Sequence, residues 1–169
     1  MPDRLTQLLG VLALAAADRF RSSVESSLGR GGAHSSALVH LDAYPGESVQ
    51  ALANVLGVSQ PAAVKIADRL AGDGLVERRT GTDHRVRALH LTPKGRRAAA
   101  DVLARRAVAL DELLAGLGPA EREALEPLLE KLVAALAQDR PAALTVCRLC
   151  DRIACCSGAG GCPLEHTTR

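Results

Sequence analysis

The stretch from Ser48 to Gly74 is cut by its own residues into two helices too short to be stable alone, so their apolar faces must be covered by the rest of the chain. Ser48 offers a side-chain oxygen to the free N–H groups of a helix start, and Val49, Leu52, Ala53 and Leu56 then recur at helical spacing. Gly57 ends that helix. Ser59 caps the next, with Pro61 in its first turn, where a missing N–H costs least. Ala63, Ile66, Ala67 and Leu70 form an i, i+3, i+4, i+7 stripe that should pack inward, leaving Gln60, Ala62, Lys65 and Arg69 outside. Gly72 and Gly74 stop the helix. Ala53, four residues before Gly57, is small enough for the two helices to cross closely, which is the pattern of a helix-turn-helix. An ordinary helical hairpin shares that pattern. The outward face separates the two, because a small alanine among Gln60, Lys65 and Arg69 suits approach to a major groove.

Two short strands are predicted next, Leu75 to Arg79 and Arg85 to Leu91, joined by a tip containing Gly81 and Asp83. Arg78, Arg79, Arg85 and Arg87 crowd this hairpin. They could merely keep an edge strand soluble. The alternative, preferred here, is a wing that lays Arg85 on phosphates or in the minor groove, with Asp83 orienting the guanidinium. Charge supports it. Residues 59–97 hold nine Lys/Arg against four Asp/Glu, net +5, whereas the rest of the chain holds twelve against fifteen, net −3. Positive charge gathered in one stretch of a mildly acidic chain points to a polyanion.

Alanine and leucine supply most of the apolar residues, so the flanking regions are read as helical. A helix from about Leu5 to Leu28 is followed by a glycine-rich turn over Gly29 to Gly32 and a second helix from about Ser35 to Ala43. Tyr44-Pro45-Gly46 breaks the chain before Ser48. Thr92-Pro93 restarts helix to about Leu117, Gly118-Pro119 turns, and a last helix reaches about Gln138. Pro127 predicts a kink in it, or a short first segment ending near Glu126.

These residues resemble the MarR-type winged helix-turn-helix transcriptional regulators. The resemblance is carried by Ser59-Gln60-Pro61 through Asp68-Arg69-Leu70 and by Gly74-Leu75-Val76-Glu77-Arg78. It continues through Asp83-His84-Arg85 and Leu89-His90-Leu91-Thr92-Pro93-Lys94-Gly95, and the flanking helices extend it over roughly residues 5–138. It implies a homodimer, held by its N- and C-terminal helices, that binds a pseudopalindromic operator and is released by a ligand or by oxidation. Arg85 matches the wing arginine of the family and Asp83 its partner. The scarcity of aromatic residues in the first two helices departs from an aromatic-ligand pocket.

All five cysteines fall between 147 and 162, as Cys147-x2-Cys150-x4-Cys155-x6-Cys162 with Cys156 as a fifth thiol and His166 beyond. A disulfide-stapled secreted domain distributes its cysteines differently. Four thiolates at Cys147, Cys150, Cys155 and Cys162 suffice to enclose one metal or cluster. Structural zinc usually takes two close pairs of ligands, and only Cys147 and Cys150 form one. Cys162-Pro163, with glycines before it, instead suits an iron–sulfur cluster, so the spacing tilts toward the cluster and leaves Zn2+ open. Pro141 is expected to separate the last helix from this tail.

The expected fold is mainly α. A helix-turn-helix with a short β-hairpin wing spans 46–92, long dimerisation helices span 1–45 and 93–140, and a Cys-rich tail spans 141–169. Aromatics are 1% of residues, which excludes stacking platforms for single-stranded nucleic acid. No apolar run approaches the roughly 20 residues of a membrane span, and the run Leu8 to Ala17 lacks the basic segment of a signal peptide, so a cytoplasmic protein is expected. His34 and His40 are read as polar surface, His90 as pointing outward and His84 as lying at the wing tip. No nucleophile, metalloprotease, Walker or dinucleotide motif argues for an enzyme. The reading is a dimeric regulator of double-stranded operator DNA, with repression favoured and activation left open, modulated through the four-cysteine centre. Its rivals are a structural zinc tail with an organic inducer and a small thiol-redox metalloprotein. DNA contacts are assigned to Ser59, Gln60, Ala62, Lys65, Arg69, Asp83, Arg85 and Arg87.

Overall fold

The computed structural model describes residues 3–28, 32–80, 87–157 and 161–168. In chain order these form α1 (Arg4–Leu28), α2 (Gly32–Ala43), α3 (Val49–Leu56), α4 (Gln60–Gly72), β1 (Val76–Thr80), β2 (Arg87–Leu91), α5 (Pro93–Leu114), α6 (Pro119–Ala134), α7 (Arg140–Val146) and α8 (Arg152–Cys156), then a short 3-10 turn at Glu165–Thr168. The architecture is mainly helical with one two-stranded antiparallel sheet, the expected fold class. In that sheet Val76 pairs with Leu91 and Thr80 with Arg87. Glu47 adds a single bridge to Leu89.

Local chemistry explains the element starts. Ser48 Oγ accepts from Ala51 N–H at 3.1 Å, Ser59 Oγ from Ala62 N–H at 3.4 Å and Thr92 Oγ1 from Gly95 N–H at 3.0 Å. Each occupies one of the donors that a helix start leaves without a partner. Gly57 takes φ 64°, a left-handed conformation that favours glycine, and its N–H turns back to the carbonyls of Ala53 and Asn54. Gly95 is required for a different reason. A Cβ there would lie 2.0 Å from the carbonyl oxygen of Leu75, so α5 can meet the base of the hairpin only without a side chain.

One core joins the helix-turn-helix to the flanking helices. Leu38 and Leu41 of α2, Leu52 of α3, Ile66 and Leu70 of α4, Val76 and Leu89 of the hairpin and Ala99 of α5 are buried together. A second cluster gathers Val24, Val39 and Val102, with Phe20, Leu103 and Leu149 packed against it. Leu149 lies between Cys147 and Cys150. The cysteine-rich segment is therefore seated against α1, α2 and α5 and does not trail from the last helix.

Several expectations need correction. α2 begins at Gly32, not Ser35, and every side chain from Ser35 to Leu41 is buried, which removes the one-sided pattern from which a boundary is read. His40 is not polar surface but 3% exposed. α6 runs through Pro127 without ending near Glu126, and it stops at Ala134, before Gln138. Pro141 does not simply separate helix from tail. It sits in the first turn of α7, whose cap Asp139 accepts from Ala142 N–H at 2.8 Å. The first strand is shifted by one residue to Val76–Thr80, while the second runs from Arg87 to Leu91 and its expected start at Arg85 lies outside the described residues. The turn at 29–31 and the wing tip at 81–86, with His84, lie outside the described residues.

Candidate nucleic-acid interface and thiol cluster

α4 has the two faces that its sequence predicts. Ala63, Ile66, Ala67 and Leu70 are buried, Ser59, Gln60, Lys65 and Arg69 are exposed, and Ala62 is half-buried among them. Ala53, 1% exposed, lies on the inner face of α3, which packs against α4. The exposed row is a ridge of small and cationic side chains, free of bulk that would keep the helix axis from a groove. Lys65 and Arg69 take part in none of the ion pairs among the described residues.

The hairpin arginines are less uniform than their sequence suggests. Arg78 Nη2 lies 2.7 Å from Asp68 Oδ1, tying β1 to α4, and Arg79 Nη2 lies 2.5 Å from Glu77 Oε1. These two cations are engaged inside their own module. Arg87 pairs through its backbone with Thr80 at the far end of the sheet. Asp83 and Arg85 lie outside the described residues.

The second candidate site is a cavity of about 400 Å3 between the end of α2 and the cysteine-rich segment. Cys147, Cys150, Cys155, Cys156 and Cys162 all line it, with His40, Tyr44, Arg140 and Arg152 on the other walls. α7 brings Cys147 to the rim as its C-cap, and Cys150 N–H bonds the Cys147 carbonyl at 2.9 Å in the turn that follows. α8 carries Cys155 and Cys156. Ala137, Ala143 and Leu164 form a small core behind them, against which Cys147 and Cys162 pack.

The thiols feel one another. The Cys150 thiol donates to Cys147, which lowers the Cys147 pKa and, with burial, drives that of Cys150 far above the ordinary thiol range. Burial, and then the neighbouring Cys150, pushes Cys155 up to about 11. Burial and then Cys162 raise the Cys156 pKa; Arg152 opposes that rise and favours the Cys147 thiolate, and Arg106 of α5 opposes the rises of Cys150 and Cys155.

The donor set suits a soft metal or an iron–sulfur cluster in its chemistry, since four thiols line one cavity and the guanidinium groups around it would offset the negative charge of a tetrathiolate. Among the described residues no three His, Cys, Asp or Glu side chains stand in ligating geometry. His166 is turned away, its Nε2 3.1 Å from the Ala137 carbonyl.

The sequence reading missed a polar group at the heart of this region. His40 Nε2 lies 2.7 Å from Glu47 Oε2, and the Tyr44 ring lies 4.9 Å from the imidazole by centroids. Arg140 and Arg152 lie over that tyrosine, 5.6 and 4.9 Å from its centroid. The available signal was the i, i+4 spacing of His40 and Tyr44, which sets the residue just after α2 one turn beyond His40 on the same side.

Two short helices crossing at Gly57, a hairpin behind them and long helices on either side define a winged helix-turn-helix protein. Comparison with known proteins finds similarity over the same region. Residues 28–86 match the family model of the MarR family. The HTH-type transcriptional regulator PetP of Rhodobacter capsulatus is 44% identical over 66 residues, 38% of this chain and 40% of that protein. The transcriptional repressor MprA of Escherichia coli is 35% identical over 105 residues, 60% of each. The matched part thus covers less than two thirds of either relative. Among solved structures, the YusO protein of Bacillus subtilis superposes with a TM-score of 0.67 at 26% identity, covering 78% of this chain and 93% of that one. The central part of the chain is thus similar to the MarR family, and its fold to that of the YusO structure.

Proposed function

We propose that the chain is a DNA-binding transcriptional regulator and not an enzyme, acting as a dimeric repressor on a pseudopalindromic operator in the cytoplasm. The observation that carries this reading is the two-sided α4, with its apolar stripe locked in the core and Gln60, Lys65 and Arg69 aligned outside. Such a face can enter a major groove, where Gln60 and Lys65 meet base edges and Arg69 and the wing residues Arg85 and Arg87 meet phosphates. Ser59 and Ala62 would border the contact and Asp83 would orient Arg85. The relatives add weight: one is a transcriptional regulator and the other a transcriptional repressor.

A dimer is supported by two exposed apolar surfaces. Leu5, Leu8, Leu9, Val11, Leu12 and Leu14 lie open on α1, and Leu128, Leu129 and Leu132 on α6. Surface of this kind is covered in stable proteins, and a second copy would cover it by the same two helices. No helix among the described residues is long and apolar enough to cross a membrane.

The thiol cluster is assigned the regulatory role. Cys147, Cys150, Cys155 and Cys162 would close on an iron–sulfur cluster or Zn2+, with Cys156 left over, and operator affinity would follow the state of that centre. The metal content and visible spectrum of anaerobically purified protein separate the two metals, because a cluster absorbs visible light and zinc does not. Binding to operator duplex over a range of salt tests the DNA reading. Sequence-dependent binding with log K falling linearly in log salt is expected, since neutralised phosphates release counterions. Salt-independent or absent duplex binding would reject it.

A further inference from the structure

Tyr44 is the only tyrosine in a chain without tryptophan, and it stands where three parts of the molecule meet. It follows α2 at the bend that leads to α3. Its hydroxyl accepts from Arg140 Nη2 at 3.4 Å and from Arg152 Nη1, groups 96 and 108 residues away, while both guanidinium groups lie over its ring. Arg140 opens α7. Arg152 opens α8 and sits between Cys150 and Cys155.

On its other side the Tyr44 ring lies against His40, which is buried and bonded to Glu47. Glu47 continues into the DNA-reading module. Its carbonyl accepts from Leu89 N–H of β2 at 2.9 Å, Gly46 N–H returns to the Leu89 carbonyl at 2.9 Å, and the next residue, Ser48, caps α3. A contiguous series of contacts therefore runs from the cysteine loop through Arg152, Tyr44, His40 and Glu47 to the wing strand and the first helix of the helix-turn-helix.

We infer that Tyr44 is the positioning residue through which the cysteine-rich tail sets the geometry of the DNA-reading module. Arg152 is flanked by two of the cysteines, so a rearrangement that moves Cys150 and Cys155 moves the guanidinium on the tyrosine. The tail does not leave the body when this happens. Leu149 packs, half-buried, against the cluster of α1, α2 and α5, and α7 packs on α3, so the tail stays seated while the Arg152 contact is made or broken. Two discrete arrangements of one contact, each favouring a different setting of the segment 44–48, are what a coupling between distant sites requires.

The inference rests on reading the cysteine loop as the part that changes state, and it does not depend on which metal, if any, the loop holds. The test uses the full chain. Its cysteines are perturbed in two ways, by a chelator or oxidant that removes metal and by alkylation with iodoacetamide, and two signals are followed: the near-ultraviolet circular dichroism and fluorescence of Tyr44, and the Kd for operator duplex. Perturbing the loop is expected to change the Tyr44 signal and to shift Kd by about 5- to 150-fold, the usual range of coupling between sites. In Tyr44→Ala and Arg152→Gln, checked for fold by far-ultraviolet circular dichroism, that shift should fall below about twofold while any bound metal is retained. Arg152→Lys, which keeps the cation, and Tyr44→Phe, which keeps the ring, should preserve part of it.

A full response in folded Tyr44→Ala and Arg152→Gln overturns the inference, as does a wild-type protein in which neither treatment changes the Tyr44 signal. A protein without metal whose Tyr44 signal and Kd still respond to alkylation removes the metal centre and keeps the relay. Metal bound with Tyr44 silent does the reverse.

Discussion

The winged-helix module and the cysteine-rich tail are built on opposite principles. The module buries Leu38, Leu52, Leu70 and Leu89 completely in a core drawn from α2 to α5, so its geometry is held by packing. Among the described residues the tail centres on a small cluster of its Ala143 and Leu164 with Ala137 before it, and its helices α7 and α8 have seven and five residues. Helices so short are not stable by themselves. What holds the tail is borrowed: Leu149 from the cluster of α1, α2 and α5, the contact of α7 with α3, and the guanidinium groups on Tyr44. A region stabilised by its own core resists change. A region held by a few outside contacts and a set of thiols can be reset by chemistry at those thiols while the module stays folded.

The contrast breaks most visibly under core truncation. Leu70→Ala should cost about 2 to 5 kcal/mol and lower the urea midpoint of the whole chain, because a fully buried leucine leaves a cavity on removal. Leu164→Ala, buried in the small core of the tail, should leave the main transition of far-ultraviolet circular dichroism near its wild-type position. Equal losses would mean that the two regions unfold as one.

Ligand replacement should produce the next largest effect, confined to the tail. Changing Cys147, Cys150, Cys155 or Cys162 to Ser should abolish metal retention, since a hard hydroxyl replaces a soft thiolate, yet leave sedimentation as a folded dimer unchanged. Cys156→Ser should keep the metal. Metal retained in all four variants would reject the ligand assignment.

On the reading face, Lys65→Ala or Gln60→Ala should change operator preference by about 1 to 3 kcal/mol per lost base contact, measured as the ratio of affinities for operator and altered duplexes. A uniform loss on every duplex would instead make these residues phosphate contacts. The smallest effect concerns Arg69→Ala, which should weaken binding to all duplexes and reduce the slope of log K against log salt by about one.

The α3–α4 pair and its hairpin were legible in the sequence because their boundaries are written in residues close by. Ser48, Gly57, Ser59-Pro61 and Thr92-Pro93 act on backbone groups within four positions, and the inward stripe of α4 needs only the helical period. α7 carries the same signal in Asp139-Arg140-Pro141, a cap followed by proline in the first turn. α2 was harder. Core surrounds it, so its apolar residues follow no single face and the helix carries Ser35, Ser36 and His40 inside.

The sequence by itself determined the helix-turn-helix, the orientation of its cationic outer face, the hairpin behind it and the clustering of cysteines at 147–162, all set by local spacing. Tertiary structure alone decided that His40 is buried against Glu47, that Leu149 seats the cysteine loop in the body, and that two tail arginines converge on Tyr44. The reason is distance along the chain. A cap or a stripe is decided within a few residues, whereas a contact such as Tyr44 with Arg152, 108 positions apart, exists only once the intervening helices have packed and brought both ends to one place.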